Sequence, residues 1–258
     1  MARHRDSLIE RRLQDVLDDG NSVWVVGDVH GYLKTFQLLI ESLELQEGDM
    51  VVCLGDLIDR GPSSRQVLEF VSSRDDIVTL RGNHEEMLRL SLTPKYNGRM
   101  MKSWLKYGGL ETLASFDPVH EVALSKATKW VNYIANLPTE IVLGKYRLFH
   151  AGYDPNKSDD EQTDQDRMWS RALFGDEGII DLNRQIIVGH TPVQKLGIIA
   201  ANSIWSSKHF LEDGRVAVLG IDTAVYASDE HNARLTAVLL HGNELRYMRR
   251  VESSSHDL

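Results

Sequence analysis

The sequence predicts an α/β fold with a parallel sheet, and two observations carry that prediction. Between Val23 and Glu85, three short apolar runs end abruptly in glycine with Asp, Asn or His: VWVVGDVHG, VVCLGDLIDRG and IVTLRGNHE. Runs rich in β-branched residues and closed in this way are typical of buried strands that lead into loops. Apolar residues at helical spacing lie between the runs, so the order β-α-β-α-β places all three loops at one sheet edge. Ligands bind at that edge in open α/β sheets.

Composition and charge are those of an ordinary globular protein. The chain of 258 residues has 42% apolar and 26% charged residues, so we interpret residues 1–258 as one domain with a large core. A net charge of −9 and a pI near 5.6 argue against nucleic acid as a partner. The single cysteine, Cys53, excludes an intrachain disulfide. No apolar stretch approaches the roughly 20 residues of a membrane span, so we expect a cytoplasmic protein without a membrane partner. The sequence leaves the oligomeric state open.

Helices are predicted on either side of this first block of strands. Residues 1–21 are expected to form a peripheral helix, and residues 85–137 a longer helical section that Gly108-Gly109 interrupts. The clearest helix there is predicted to begin at Asp117-Pro118 and to end before Pro138. Its predicted apolar face is Val122, Ala123, Ala127, Trp130, Val131 and Ile134. The aromatic residues Trp104, Trp130 and Tyr133 could line a groove, but their spacing favours the core.

From residue 139 onward the pattern changes to short strands, which we assign to a second sheet packed on the first. The runs are EIVLG, KYRLFHAG, QIIVGHT, RVAVLGID, LTAVLL and ELRYMRR. Gly144-Lys145, between the first two runs, is typical of a hairpin turn. The acidic stretch 153–167 is interpreted as a solvated loop that is mobile or gates a site. Residues 252–258 are expected to be a disordered tail.

Six potential metal ligands follow the predicted strands. Asp28 and His30 are two residues apart at a strand end, where an extended backbone directs both side chains to one face. A carboxylate beside an imidazole suits a borderline divalent ion. Asp56 ends the next strand and could be a carboxylate shared by two ions. The remaining candidates are Asn83, His150 and His190. Any one of these motifs could be a turn or a surface histidine, but their common context predicts a two-ion site.

The motifs GDVHG, GDLIDRG, GNHE, HAG and GHTP occur in this order. Together they resemble the PPP family of metal-dependent phosphoprotein phosphatases, and most of all its bacterial and bacteriophage lambda branch. The resemblance covers about residues 23–225 and implies a calcineurin-like metallophosphoesterase fold, with two packed mixed β-sheets flanked by helices. It implies that Asp28, His30 and Asp56 hold one divalent ion and that Asp56, Asn83, His150 and His190 hold another. Manganese is the metal it implies first, although iron and zinc suit the same ligands.

The resemblance implies hydrolysis of phosphoserine and phosphothreonine in proteins, with phosphotyrosine as a further candidate. Two divalent ions lower the pKa of a bridging water, and the resulting hydroxide attacks phosphorus directly. The leaving alkoxide then needs a proton, for which His84 is the candidate acid and Asp59 its orienting partner. Arg60 and Arg171 are candidate phosphate clamps, because a guanidinium binds phosphate oxygens in a bidentate manner. A surface salt bridge is the alternative for Arg171.

Two other functions stay open at this point. One is hydrolysis of dinucleoside polyphosphates such as diadenosine tetraphosphate by relatives with the same fold. Those relatives usually lack an aspartate at the position of Asp59 and read GNHD, whereas this chain has Asp59 and GNHE. The other is a catalytically inactive scaffold, which usually loses ligands that this chain keeps. The chain departs from the usual Asp-Thr-Gly motif at Ala224, which leaves the shape of that loop open.

Overall fold

The structure, a computed structural model, describes residues 4–175, 181–198, 200, 203–227, 232–242 and 244–249. The predicted disorder of residues 252–258 falls outside these ranges. The helices are α1 (Ser7–Asp18), α2 (Leu33–Ser42), α3 (Ser64–Ser72), α4 (Asn83–Leu92), α5 (Asn97–Trp104), α6 (Leu110–Phe116), α7 (His120–Thr128), α8 (Val131–Asn136) and α9 (Asp164–Trp169). The strands are β1 (Val23–Val26), β2 (Met50–Cys53), β3 (Ile77–Thr79), β4 (Glu140–Val142), β5 (Tyr146–Phe149), β6 (Gln185–Val188), β7 (Trp205–Ser206), β8 (Val218–Gly220), β9 (Arg234–Leu239) and β10 (Leu245–Arg249).

The first sheet has the strand order β10-β9-β1-β2-β3. Parallel pairing of β1 with β2 and of β2 with β3 confirms the predicted β-α-β-α-β unit. The assignment of the last two runs, LTAVLL and ELRYMRR, to the second sheet was wrong: β9 pairs antiparallel with β1, and β10 with β9. The crossovers leave one edge of β1 open, and β9 occupies that edge. The pattern of a strand predicts its burial but does not specify its partner.

The second sheet has the order β4-β5-β6-β8-β7 and is mixed, as the resemblance implies. The hairpin predicted at Gly144-Lys145 joins the antiparallel strands β4 and β5. Strands β5, β6 and β8 run parallel, and β7 pairs antiparallel with β8. The carboxyl ends of β5 and β6 therefore share one edge of this sheet, as those of β1, β2 and β3 do in the first sheet.

The two sheets face each other across a buried apolar layer, with helices on the outer face of the first sheet. Val25 and Val52 of the first sheet belong to the same buried cluster as Leu148 and Ile187 of the second. Their sequence neighbours on the first sheet point the other way, into a second cluster with residues of α2, α3 and α4. This alternation follows from the two-residue period of a strand. Cys53 lies in the helix-side cluster, as its apolar surroundings in the sequence indicate.

The helix predicted from Asp117 onward is in fact two helices, α7 and α8. Asp117 lies outside the helix and accepts a hydrogen bond from the Val119 N–H, and α7 begins only at His120. Trp130, between the two helices, keeps nearly helical backbone angles, so the apolar spacing continues across the break. Val122 was wrongly assigned to the apolar face, because its side chain is 41% exposed. Across the described ranges, no helix is long and apolar enough to cross a bilayer.

The predicted interruption at Gly108-Gly109 is present as a kink. Residues Leu105–Gly109 form a π-helical turn between α5 and α6, and Gly108 has a φ of 115°. The prediction that the nearby aromatic residues belong to the core is confirmed. Trp104 is fully buried, and Trp130 and Tyr133 pack on the same cluster.

The acidic stretch 153–167 is not the open loop that its polarity predicted. It contains a 3₁₀ turn, Asp159–Glu161, followed by α9. The Lys157 ammonium lies between the carboxylates of Asp154 and Asp166, at 3.3 and 2.7 Å. The Gln162 side chain also bonds the backbone N–H and C=O of Asp154. These local contacts order the segment although it stays acidic, which a count of polar residues does not reveal.

Candidate active site

Six buried side chains gather where parallel strands of both sheets end. Asp28 and His30 follow β1, and Asp56 follows β2. The others are Asn83 at the start of α4, His150 after β5 and His190 after β6. Two glycines permit the close approach, because a Cβ atom on Gly82 or Gly189 would overlap a carboxylate oxygen of Asp56 or Asp28. The structure thus brings together all six ligands predicted from the sequence.

Backbone carbonyls fix the direction of two of the imidazoles. His30 Nδ1 lies 2.9 Å from the Ile58 carbonyl, and His150 Nδ1 lies 2.9 Å from that of Leu54. A carbonyl only accepts, so Nδ1 carries the proton in each ring and Nε2 presents a lone pair. His30 Nε2 lies 3.9 Å from carboxylate oxygens of both Asp28 and Asp56. His150 Nε2 lies 3.3 Å from Asp56 Oδ1.

Electron-pair donors converge here in a way that suits two cations. His150 Nε2 and His190 Nδ1 lie 2.9 and 2.8 Å from the same Asn83 Oδ1 atom. Among the described residues, two groups have ligand atoms within 4.8 Å of one another: His30, Asp56 and His84, and Asp56, His150 and His190. Asp56 belongs to both groups, which is the arrangement expected of a bridging carboxylate. Acceptor atoms this close repel one another unless a proton or cation lies between them, so the residues fit a pair of divalent ions.

One detail differs from the ligand set that the resemblance implies. The first compact group contains His84, whose Nε2 lies 3.8 Å from Asp56 Oδ2. Asp28 is adjacent, but its two carboxylate oxygens also accept the His190 backbone N–H, at 3.1 Å each. Asp28 therefore links the end of β1 to the end of β6 as well as facing His30.

Burial and mutual charge shift the pKa values of these groups strongly. Burial raises the pKa of Asp28, and the carboxylates of Asp222 and Asp56 reinforce that effect. Burial alone would lower the pKa of His150, but Asp56 and Asp28 outweigh it and raise this pKa to about 9. Burial and the His150 charge lower the pKa of His190 to about 2. Burial and the Arg60 charge also lower the pKa of His30 well below its usual value. The lowered pKa values of His30 and His190 keep these two imidazoles neutral, as metal binding requires, whereas His150 would lose a proton when an ion binds.

The backbone of the site is locally strained. Among the described residues, nine non-glycine residues have positive φ angles, and five of them belong to the candidate site. These five are His30, Asp56, Asp59, Arg60 and His190, with φ between 48° and 74°. Such conformations cost roughly 1–3 kcal/mol each and concentrate at functional sites. Ala224 also has a positive φ, of 51°. The loop there keeps the left-handed shape that glycine adopts most easily, despite the departure from Asp-Thr-Gly.

Glu85 organises the site, a role that the sequence reasoning missed. Its Oε2 accepts the N–H groups of Asp56 and Gly82, at 2.8 and 2.9 Å. Its Oε1 accepts those of Leu57 and Ile58, at 2.8 and 3.3 Å. One carboxylate therefore holds the loop after β2 against the start of α4. Burial and the Asp56 charge raise the pKa of Glu85 to about 7. The available signal was the spacing of Gly82 and Glu85, which is that of a capping box.

The predicted acid His84 and its predicted partner Asp59 are in direct contact. His84 Nδ1 donates to Asp59 Oδ2 at 2.7 Å, and both side chains are buried. The Trp104 indole N–H donates to both Asp59 oxygens at 3.0 Å, and the Thr112 hydroxyl donates to Asp59 Oδ1 at 2.5 Å. Trp104 was predicted only as a core residue, and nothing in the sequence pattern indicated Thr112. Helical spacing shows which side chains are buried but not which polar atoms they meet.

The two predicted phosphate clamps occupy different positions. The Arg60 guanidinium contacts His30 Nε2, lies 3.1 Å from His84 Nε2 and stacks 4.1 Å above the Tyr226 ring. Arg171 follows α9, is exposed and contributes to the lowered pKa of His190, which indicates a position at the rim. Arg60 thus lies inside the cluster, and Tyr226 is a further site residue that the sequence did not indicate.

A buried ion network supports the segment that carries Arg171. Arg167, in α9, and Arg147, in β5, bind the two oxygens of the buried Glu140 carboxylate at 2.9 and 2.5 Å. The Arg167 carbonyl also accepts the Ala151 N–H at 2.8 Å, next to the ligand candidate His150. These contacts fix the end of α9 relative to the strand ends.

Comparison with known proteins identifies the family of this fold. Residues 22–233 match the calcineurin-like phosphoesterase family. Serine/threonine-protein phosphatase 2 of Escherichia coli K12 is 31% identical over 134 residues, which are 51% of this chain and 58% of that protein. Serine/threonine-protein phosphatase 1 of Salmonella typhimurium LT2 is 29% identical over 208 residues, 75% of this chain and 87% of that protein. The chain therefore spans just over half the length of the first relative and most of the second.

Relatives that are named for a different activity also match. The symmetrical bis(5'-nucleosyl)-tetraphosphatase of Buchnera aphidicola is 41% identical over 66 residues, 25% of this chain and 24% of that protein. A solved structure of a serine/threonine phosphatase from Saccharomyces cerevisiae aligns with a TM-score of 0.57 at 14% identity, covering 91% of this chain and 82% of that one. At that identity the structural likeness supports the fold alone.

The shared position of Asp56 predicts the metal content of the protein. We expect about two divalent ions per chain after reconstitution with manganese. Asp56→Asn should reduce this to below one, because it weakens both groups of ligands. Asp59→Asn, which removes a buried carboxylate that is not a proposed ligand, is the control and should keep both ions. Elemental analysis after dialysis measures the content, and one ion or none in the unchanged protein would contradict the two-ion site.

Because Glu85 accepts four N–H groups, we expect the conservative substitution Glu85→Gln to destabilise the protein strongly. Glu85→Gln turns an NH₂ group toward two buried N–H donors, which should lower the free energy of unfolding by at least about 2 kcal/mol. Binding of both metal ions should weaken as well, because Asp56 and Asn83 lose their common support. The neighbouring Glu86→Gln is the matched control. Urea unfolding and metal titration give the two readings, and equal stability of the two variants would refute the role of Glu85.

Proposed function

The chain belongs to the calcineurin-like phosphoesterase family, and from this we propose that it removes phosphate from phosphoserine and phosphothreonine in proteins. The family makes it a metallophosphoesterase, a hydrolase of phosphate esters. The observation that supports the finer proposal is the buried His84–Asp59 pair beside the metal ligands. A phosphorylated protein or peptide is accordingly the proposed partner, with phosphotyrosine as a further candidate substrate.

We propose that the ligands divide as the resemblance implies, with Asp56 shared. Asp28, His30 and Asp56 would hold one ion, and Asp56, Asn83, His150 and His190 would hold the other. Two bound divalent ions supply an activated water and neutralise the charge of phosphate oxygens. Manganese is the proposed metal, and iron and zinc suit the same nitrogen and oxygen ligands. The convergence of lone pairs on this one edge supports the assignment.

We propose that His84 protonates the leaving group. A serine or threonine alkoxide is strongly basic and requires a proton as the bond to phosphorus breaks. Asp59 accepts a hydrogen bond from His84 Nδ1, which leaves Nε2 beside the Arg60 guanidinium. Trp104 and Thr112 hold the Asp59 carboxylate, so the orientation of the imidazole is fixed from two sides.

We propose that Arg60 and Arg171 bind the phosphate oxygens. Arg60 already reaches into the ligand cluster, and its stacking on Tyr226 limits the planes that the guanidinium can take. A guanidinium fork held in this way matches two phosphate oxygens. Arg171, which follows the end of α9, would supply the second guanidinium.

Hydrolysis of dinucleoside tetraphosphates is the second candidate function, because relatives with that activity also match. Their leaving group is a nucleotide phosphate, which departs with little need of a proton. Relatives of that kind usually lack an aspartate at position 59, whereas here Asp59 is present and bound by three side chains. The acid pair therefore favours the ester with the more basic leaving group.

A substrate comparison tests the proposal directly. The protein reconstituted with manganese should hydrolyse phosphoserine and phosphothreonine peptides with a higher kcat/KM than diadenosine tetraphosphate. The Asp56→Asn variant should lose activity on both substrates and serves as the control for contaminating phosphatases. A higher kcat/KM on the tetraphosphate would replace the first proposal with the second.

The role of His84 predicts unequal losses on two substrates. The para-nitrophenolate group departs readily without a proton, whereas a serine alkoxide does not. His84→Ala should therefore lose ~10²–10⁴-fold on phosphoserine peptides and much less on para-nitrophenyl phosphate. Asp59→Asn should reproduce part of this difference. Single-turnover rates are the measurement, with metal content checked in each variant. Equal losses on both substrates, with both ions bound, would remove His84 from the acid role.

A further inference from the structure

One stretch of this acidic protein is strongly basic. The net charge of the whole chain is −9, yet residues 90–110 contain four basic residues and no Asp or Glu. The basic residues are Lys95, Arg99, Lys102 and Lys106. Lys95 lies in a 3₁₀ turn, Lys102 in α5 and Lys106 in the π-helical turn that follows α5. These three lysines therefore follow one another along a single short helical segment.

The outer side of this segment is exposed. Lys102 and Lys106 are both exposed and are four residues apart, so they lie on the same face. Tyr107 is 50% exposed, and the Lys106 ammonium lies 5.9 Å from the centre of its ring. Two cations and an aromatic ring thus form one small patch, which we call the Lys102–Tyr107 patch.

The inner side of the same segment contacts the candidate catalytic machinery. Trp104 donates to Asp59, and the Gly108 carbonyl accepts the Arg60 N–H at 3.4 Å. A Cβ atom on Gly108 would overlap the Arg60 nitrogen, so this position requires glycine. Lys106 is only two residues from Gly108, a span of at most about 7 Å. The backbone that carries the patch therefore lies beside the loop that carries Arg60.

The segment that precedes Arg171 in the chain is acidic, in contrast to residues 90–110. Residues 154–166 carry several carboxylates, including the exposed Asp160 and Glu161. The two segments that flank the proposed phosphate clamps therefore have opposite charge, with the basic one next to Arg60. A substrate with carboxylates on one side of its phosphorylated residue matches this distribution.

We propose that the Lys102–Tyr107 patch is a docking surface for acidic residues that flank the phosphorylated serine or threonine of a protein substrate. The proposal rests on the proposed phosphatase function and adds a substrate class to it. An extended peptide advances about 3.3–3.6 Å per residue. Residues two to four positions from the phosphorylated one therefore reach the lysines while the phosphate occupies the cleft.

The test compares the Lys102→Glu/Lys106→Glu variant with the unchanged protein on two phosphoserine peptides. One peptide has Asp and Glu beside the phosphoserine, and the other has Ala and Ser. Exposed ion pairs are individually weak, so the KM for the acidic peptide should rise about tenfold with kcat nearly constant. The KM for the neutral peptide should change far less. The preference of the unchanged protein for the acidic peptide should decrease at high salt.

The control is Lys129→Glu/Lys145→Glu, which changes the net charge by the same amount. Lys129 follows the end of α7. Lys145 precedes β5, at the end of that strand opposite to His150. This variant should keep the preference for the acidic peptide. Turnover of para-nitrophenyl phosphate, which has no flanking residues, reports whether each variant is folded.

Each outcome decides the proposal. A selective rise in the KM for the acidic peptide, absent from the control variant, supports it. Equal KM values for the two peptides in the unchanged protein overturn the docking surface and leave the phosphatase function standing. If the Lys102→Glu/Lys106→Glu variant has a raised KM for diadenosine tetraphosphate but an unchanged KM for both peptides, the patch binds polyphosphate and the peptide assignment is overturned. Failure of the unchanged protein to hydrolyse either peptide overturns the phosphatase function and the docking surface together.

Discussion

The geometry of the candidate site depends on one buried carboxylate. Glu85 accepts four backbone N–H groups, three from the loop after β2 and one from Gly82 at the start of α4. These hydrogen bonds are buried, so without the Glu85 carboxylate the donors would be left unpaired, at about 1–3 kcal/mol each. The same carboxylate thereby fixes Asp56 in relation to Asn83 and His84. One residue outside the proposed ligand set therefore positions two candidate ligands and the candidate acid.

This support matters because several residues of the candidate site have unfavourable backbone angles. His30, Asp56 and His190 each follow a strand with φ between 48° and 63°, which turns the side chain across the strand end. A β-branched strand does not bend in this way by itself. The apolar layer between the sheets and the cluster beneath the helices hold the strands, and the loops absorb the strain. A rigid scaffold with strained loops is a common arrangement in binding sites.

The sequence locates the side chains that gather at the candidate site because a strand end is a local signal. An apolar run followed by glycine and a polar residue locates Asp28 or His190 without knowledge of the fold. Contacts between distant segments have no such signal. Trp104 and Thr112 reach Asp59 across 45 and 53 residues. The pairing of β9 with β1, far apart in the chain, is a further example. Both depend on tertiary structure, which periodicity does not specify.

The segment 104–112 contacts two neighbouring residues of the candidate site. Asp59 and Arg60 are adjacent, both have positive φ, and both are held by this segment, through Trp104 and Thr112 for one and Gly108 for the other. Asp59 accepts the hydrogen bond that orients the candidate acid His84, and Arg60 is the proposed phosphate clamp. A shift of the segment would therefore displace the acid and the clamp together. Because the outer face of the segment carries the basic patch, a ligand bound there contacts the same element that positions both groups.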